Sequence, residues 1–214
     1  MSKTVPGGLV VFFEGIDGVG KTTQLELAKE ALQARGWEVF TSRIHGGTPI
    51  GEALREASLS KLPRPVETDL HISLAMHAAL IAECQKQRAA GVITLIDRGP
   101  LSIAGYQIYG DELAAEVGWA AVSDSLQRFS PEVVILYDTN LETALGRAEQ
   151  RRAGASDYFE SKPTGYFQKV QQGYAEAAKR YRAQVIDASA SINAVHQQTM
   201  AAIQIAIDTK LTSS

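Results

Sequence analysis

The sequence predicts an α/β fold, a parallel sheet buried between helices. Short β-branched runs alternate with helical stretches along the whole chain. The strand candidates are apolar nearly throughout, the pattern of strands covered on both faces. Charged and glycine-rich residues fall just after strands, where ligands bind in such sheets. In order, Leu9–Phe13 reads as a strand. Thr22–Arg35 reads as a helix with Gly36 as its C-cap. Trp37–Thr41 is a second strand, and Val66–Ala90 a long helix ended by Gly91. Val92–Ile96 is a strand, Leu113–Arg128 a helix and Val133–Tyr137 a strand. Leu141–Arg152 and Tyr166–Arg182 are helices, Gln184–Ile186 a short strand, and Ile192–Thr209 the last helix.

The 214 residues suit a single domain, and 45% hydrophobic residues suit a globular core. A net charge of −3 carries no mark of a general nucleic-acid binder. Cys84 is the lone cysteine, so no intrachain disulfide forms, which fits a reducing cytoplasmic setting. The N-terminal residues are too polar for a signal peptide. No apolar run approaches the roughly 20 residues that span a bilayer.

After the first strand comes Gly15-Ile16-Asp17-Gly18-Val19-Gly20-Lys21-Thr22-Thr23. This matches the phosphate-binding loop G-x-x-x-x-G-K-[ST] between a strand and a helix. Glycines let backbone N–H groups curl around a phosphate, and the following helix points its positive end at the same anion. Lys21, expected on an exposed loop, reaches the β and γ phosphates, and the Thr22 hydroxyl ligates magnesium. Asp97-Arg98 follows a buried strand, where Asp97 can hold Mg²⁺ through water and Arg98 can neutralise a phosphoryl oxygen. The motif predicts a P-loop NTPase sandwich binding ATP and Mg²⁺, with Gly15 to Thr23 cradling the donor.

The same residues carry a resemblance. Phe13 to Gln24 resembles the opening of the thymidylate kinase family. Arg43 with Gly46-Gly47-Thr48 is similar to the family's Arg-Glu-Pro-Gly-Gly-Thr loop, with Ile44 and His45 departing. Asp97-Arg98, Ser102 and Tyr106-Gln107 fit its Asp-Arg…Ser…Tyr-Gln segment. Pro131–Asp138 resembles its late strand, and Ile186–Ser189 its last strand with the loop that borders adenine. Leu145, Arg147 and Arg151, then Asp157, Phe159 and Glu160, resemble its lid, here approximately 151–164. The resemblance implies a five-stranded parallel sheet, transfer of the ATP γ-phosphoryl group to a deoxynucleoside monophosphate with dTMP foremost, and a homodimer. It implies that Asp17, Arg43 and Arg98 hold the acceptor's sugar or phosphate, and that Ser102, Tyr106 and Gln107 line its nucleoside site.

The chain also departs from the family. The base-reading Phe-x-x-x-Arg of the long helix becomes Ile72 and Met76, which share a face but cannot hydrogen-bond a base edge. His71 and His77 nearby read as a surface or core histidine. The residue after Asp97-Arg98, usually aromatic, is Gly99. The lid's Asp-Arg-x-Glu is Asp157-Tyr158-Phe159-Glu160, so an arginine is missing and Lys162 is a candidate replacement. With glycine at position 18, the charge met during transfer is expected from the lid. Arg147 and Arg151 share a helix face, while Arg152 is turned about 100° away. Two readings stay open beside it: a kinase for another nucleoside or nucleotide, and a GTPase-like switch. The Asn-Lys-x-Asp segment of the latter is not matched by Tyr137-Asp138-Thr139-Asn140.

Overall fold

A computed structural model describes residues 2–151, 158–159 and 161–213. Five parallel strands, β1 (Leu9–Glu14), β2 (Val39–Arg43), β3 (Ile93–Asp97), β4 (Val133–Asp138) and β5 (Gln184–Asp187), lie in the order β2-β3-β1-β4-β5. β1 sits at the centre and is buried at every residue, as its uninterrupted apolar run requires. The helices are α1 (Lys21–Ala34), α2 (Pro49–Leu59), α3 (Val66–Ala89), the three-residue α4 (Leu101–Ile103), α5 (Ala115–Phe129), α6 (Leu141–Arg151), α7 (Thr164–Tyr181) and α8 (Ile192–Thr212). Apolar side chains form one large core and a smaller one around Phe12, Leu80, Ile96 and Phe129.

Three segments differ from the sequence reading. The second strand begins at Val39, because Trp37 makes only an isolated bridge with Lys3, and it runs on to Arg43, which pairs in register with Asp97. Helix α2 was not foreseen, although Thr48-Pro49 is a start signal: the Thr48 hydroxyl accepts the Gly51 N–H and proline takes the first helical position. A π-helical segment, Ala104–Gly110, follows α4. It packs against α7 through glycines: a Cβ on Gly173 would stand 2.6 Å from the Ala104 carbonyl oxygen. That close approach brings Tyr174 against the carboxyl edge of the sheet, beside Arg98 and Ser102.

Each strand ends in a charged residue: Glu14, Arg43, Asp97, Asp138 and Asp187. They line the carboxyl edge, the ligand-binding edge of an open α/β sheet. No helix among the described residues is long and apolar enough to cross a membrane.

Candidate active site

The loop after β1 is shaped by backbone. Gly15, Gly18 and Gly20 have positive φ, at 135°, 87° and 99°. At Gly18 a Cβ would meet the Ala144 carbonyl oxygen at 1.8 Å, so any side chain there collides with α6. Helix α1 starts at Lys21 with no side-chain cap and no acid in its first turn. Its first N–H groups are left for an anion. Lys21 is buried, correcting the expectation of an exposed loop lysine. Its ammonium donates to the Ile16 carbonyl at 2.9 Å and stands 3.8 Å from Asp17. Burial, helped by repulsion from Arg98, lowers its pKa to about 8.

Beside the loop lies a cavity of about 300 Å³ walled by Gly18, Val19, Thr23, Arg147 and the Ala188–Val195 region. A second, smaller recess joins Gly20, Lys21, Thr22, Ala148 and Arg151. Arg147 and Arg151 therefore share a face of α6, as their spacing predicts, but are not equivalent. Arg147 donates to the Ala188 carbonyl at 3.3 Å, while Arg151 borders both the larger cavity and the phosphate recess. Arg152, Asp157, Glu160 and the 154–156 stretch of the expected lid lie outside the described residues.

Thr22 and Asp97 meet at the mouth of another groove, the Thr22 hydroxyl donating to the Asp97 carboxylate at 2.5 Å. A hydroxyl and a carboxylate oxygen suit a hard cation such as Mg²⁺, which takes few protein ligands and completes its shell with water and phosphate. Arg43 is in this groove. It is half exposed and paired with Glu52 at 3.0 Å.

The other side of the cleft centres on Arg98, largely buried with φ 68°. Its guanidinium donates to Asp17 at 2.5 Å, to the Tyr174 hydroxyl at 3.2 Å, to the Tyr106 hydroxyl at 3.3 Å and to the Gly15 carbonyl at 3.4 Å. Burial works against its charge, but Asp17 together with Tyr106, Tyr174 and Asp97 outweighs it and keeps Arg98 a cation. Burial alone would raise the Asp17 carboxyl. Arg98 and Lys21 reverse that and hold it low and ionised. Behind them, fully buried Glu14 accepts the Leu101 N–H at 2.8 Å and the Ser102 hydroxyl at 3.1 Å, and Ser102 meets Tyr174 at 2.8 Å. Burial pushes Glu14 up to about 7. Gly99 is explained here: a Cβ would lie 2.6 Å from the Phe12 ring and 2.9 Å from the Glu14 carboxylate.

A cavity of about 180 Å³ opens next to Arg98 and Asp17, walled further by His45, Arg55, Leu59, Tyr106 and Phe159. The structure thus gathers Asp17, Arg98 and Tyr106 as the sequence predicts, but not their expected companions. Arg43 points to the Thr22 groove because its strand ends beside Asp97, and Arg55, carried by the unforeseen α2, occupies the cavity instead. Ser102 is tied into the Glu14 network, and Gln107 is buried in the π-helical segment. Ile72 is half-buried and Met76 fully buried; neither is among the cavity's walls. His77 is a core histidine bonded to Ser125, and His71 is on the surface. Lys162 does not face the phosphates. It pairs with Asp111 at 2.9 Å and lies over the Tyr158 and Tyr166 rings.

A glycine-shaped loop at a bare helix start, an acid across from its threonine and an arginine poised beside both define a P-loop phosphotransferase. The comparisons narrow the class. The family model described as thymidylate kinase matches residues 13–199. A thymidylate kinase from Cupriavidus metallidurans is 36% identical over 88% of this chain and 94% of its own. One from Idiomarina loihiensis is 33% identical over 92% of this chain and 97% of its own. The crystal structure of thymidylate kinase from Ehrlichia chaffeensis superposes with a TM-score of 0.71 over 93% of this chain and 99% of that one. At 24% identity it bears on the fold alone. The chain belongs to the thymidylate kinase family, and it is an ATP-dependent phosphotransferase by that membership.

Proposed function

We propose that this protein transfers the γ-phosphoryl group of ATP to a deoxynucleoside monophosphate, with dTMP as the foremost acceptor. The observation that carries the monophosphate reading is the acceptor cavity itself, where Arg55 and Arg98 converge beside the P-loop. Arg98, paired with Asp17, and Arg55 put two guanidinium groups on the walls of one small cavity, donors suited to the planar oxygens of a phosphate. The family's membership supplies the thymine.

In-line transfer requires positioning and charge stabilisation more than covalent chemistry. The loop from Gly15 to Thr23 cradles the donor phosphates. Lys21 lies along them, and Arg147 borders the nucleoside end of the donor cavity. Thr22 and Asp97 would hold Mg²⁺, which would supply charge neutralisation to the donor phosphates. Arg98 and Arg55 draw the acceptor phosphate into line, while Asp17 orients Arg98 and reaches the sugar. Arg151 meets the charge that builds between the two nucleotides. The acceptor phosphate is already ionised at neutral pH, so no strong general base is needed. A homodimer is part of the same reading, carried by the family resemblance.

The test is a phosphoryl-transfer screen with ATP and Mg²⁺ against thymidine and a panel of nucleoside monophosphates. Turnover of dTMP well above thymidine is expected. Equal rates with the two would overturn the monophosphate claim, and a strong purine preference would overturn the pyrimidine claim.

A further inference from the structure

We propose that His45 is the base-reading residue of the acceptor cavity, replacing by position and chemistry the hydrogen bonds that Ile72 and Met76 cannot make. The inference rests on the monophosphate-kinase reading of the same site.

The cavity has two kinds of wall. Asp17, Arg98 and Arg55 are charged and suit a phosphate and sugar. Leu59, Tyr106 and Phe159 are apolar or aromatic and suit a planar base. His45 lines the same cavity. Its ring lies nearly parallel to Phe159, with an interplanar angle of 21° and centroids 6.1 Å apart. Its backbone is pinned, the carbonyl accepting the Arg55 guanidinium at 2.8 Å. Among the described residues its ring nitrogens make no hydrogen bond, and neither is a sealed, unpartnered buried atom. Both ring nitrogens are free to meet a ligand in the cavity that His45 lines.

The ring's charge state suits recognition. Burial, with Arg98, His77 and Arg55 adding repulsion, lowers His45 to about 3. A neutral imidazole carries one N–H donor and one lone-pair acceptor. It can donate to a keto oxygen or accept from an amino group, and the tautomer adopted fixes which. The family pattern has proline at this position, which offers a base edge neither group. A site that hydrogen-bonds its substrate discriminates more strongly than an apolar one.

The experiment compares kcat/KM for dTMP, dUMP, dCMP and dGMP in the full-length protein and in His45→Phe and His45→Gln. Phenylalanine keeps the stack on Phe159 and loses both nitrogens; glutamine keeps a donor and an acceptor. His45→Phe is expected to shrink the ratio of dTMP to dCMP turnover efficiency about tenfold or more, through KM for the acceptor. ATP affinity should stay unchanged, and His45→Gln should retain much of the ratio. A uniform loss across all acceptors, a loss shared equally by His45→Gln, or ratios within twofold of wild type would overturn the assignment. If the wild-type protein phosphorylates none of the monophosphates, it is the underlying functional reading that fails.

Discussion

The donor side of the cleft is built from backbone, and the acceptor side from side chains. Around the P-loop, three positive-φ glycines, an uncapped helix start and the carbonyl wall of α6 leave little freedom. Around the acceptor, the same edge of the sheet is lined by Arg98, Arg55, His45, Tyr106 and Phe159, each of which another residue could replace without moving the chain. A phosphate has one shape, so backbone amides can be fixed to receive it. A base differs at its edges, and only side chains can be exchanged to follow it. This fits a family pattern that is intact in the P-loop and, on the other side, kept at Arg98, Ser102 and Tyr106-Gln107 but altered at His45, Ile72 and Met76.

The largest effect that could break this comparison is on α6. If Arg151 meets charge in the transition state while Arg147 serves the bound donor, their alanine variants should separate. Arg151→Ala should lower kcat roughly 10³-fold with little change in ATP affinity, the scale of an arginine acting in cis. Arg147→Ala should mainly weaken ATP binding. Separate measurement of kcat and nucleotide affinity decides it. Near wild-type kcat in Arg151→Ala would assign the transition-state charge to Arg98.

Lys21 gives the next effect. Lys21→Met removes the ammonium and keeps the stem, and turnover should fall roughly 10²–10³-fold, the scale for losing one preorganised donor. Stability should not fall with it. A folded pKa of about 8, below the ordinary lysine value of 10.5, means that folding disfavours the charged form. That cost is present below pH 8 and is relieved as pH rises from about 8 to 10.5. Denaturation midpoints at pH 7 should therefore be equal or higher in Lys21→Met. A clearly lower midpoint would mean that the charge helps hold the loop together.

The P-loop was fully legible because its chemistry lies in consecutive residues. The sheet was legible because its strands are apolar on both faces. The acceptor cavity was not, because its walls come from α2, the 158–159 segment and the π-helical segment, which meet only after folding. Arg43 and Arg55 illustrate this. Sequence spacing favours Arg43, which ends a strand, but a strand's last residue points where its neighbour's does, here toward Asp97 and the groove it shares with Thr22. Arg55 needed α2, and α2 could have been read from Thr48-Pro49. Glu14 lies within the recognised motif, yet nothing in the sequence says that a strand-end carboxyl will be sealed from water.

Glu14 sharpens the comparison from below, since it braces the acceptor side through Ser102 and Tyr174. Its folded pKa of about 7 lies above the ordinary 4.5, so it contributes stability at low pH that is lost as pH rises through 7. Glu14→Gln cannot titrate. Between pH 5 and pH 8 the wild type should lose about 2 kcal/mol relative to Glu14→Gln, from about 1.4 kcal/mol per unit over most of the shift. His45 and His77, both lowered to about 3, push wild-type stability the other way up to pH 6.5, but equally in both proteins. The difference between two denaturant titration series isolates Glu14. Parallel pH curves would show that the carboxyl titrates as it does in the unfolded chain.

The smallest effect concerns Tyr158, where the family's lid carries an arginine. Its ring is held between two cations, the Arg64 guanidinium at 4.2 Å and the Lys162 ammonium at 4.4 Å from the centroid. Arg64 is itself fixed by buried Asp69, Lys162 by Asp111 and by donating to the Tyr158 hydroxyl at 3.1 Å, and the Tyr158 N–H donates to the Leu59 carbonyl at 3.2 Å. Phe159, next in the chain, closes the cavity beside Tyr106. At about 180 Å³ that cavity is smaller than the roughly 300–1,000 Å³ of most small-molecule sites, so a bound acceptor would press on its walls, Phe159 among them. The clasp on Tyr158 anchors the residue next to that wall. Each cation–ring contact contributes about 0.5–2 kcal/mol according to its burial. Tyr158→Ala should raise the acceptor KM about three- to tenfold and leave the ATP KM alone. Tyr158→Phe, which keeps the ring, should lie near wild type. Tyr158→Arg should be the poorest of the three, because it places a third cation between Arg64 and Lys162. Higher activity in Tyr158→Arg would show instead that a lid arginine still has a catalytic place to fill, and that the acceptor side was altered less deeply than its walls indicate.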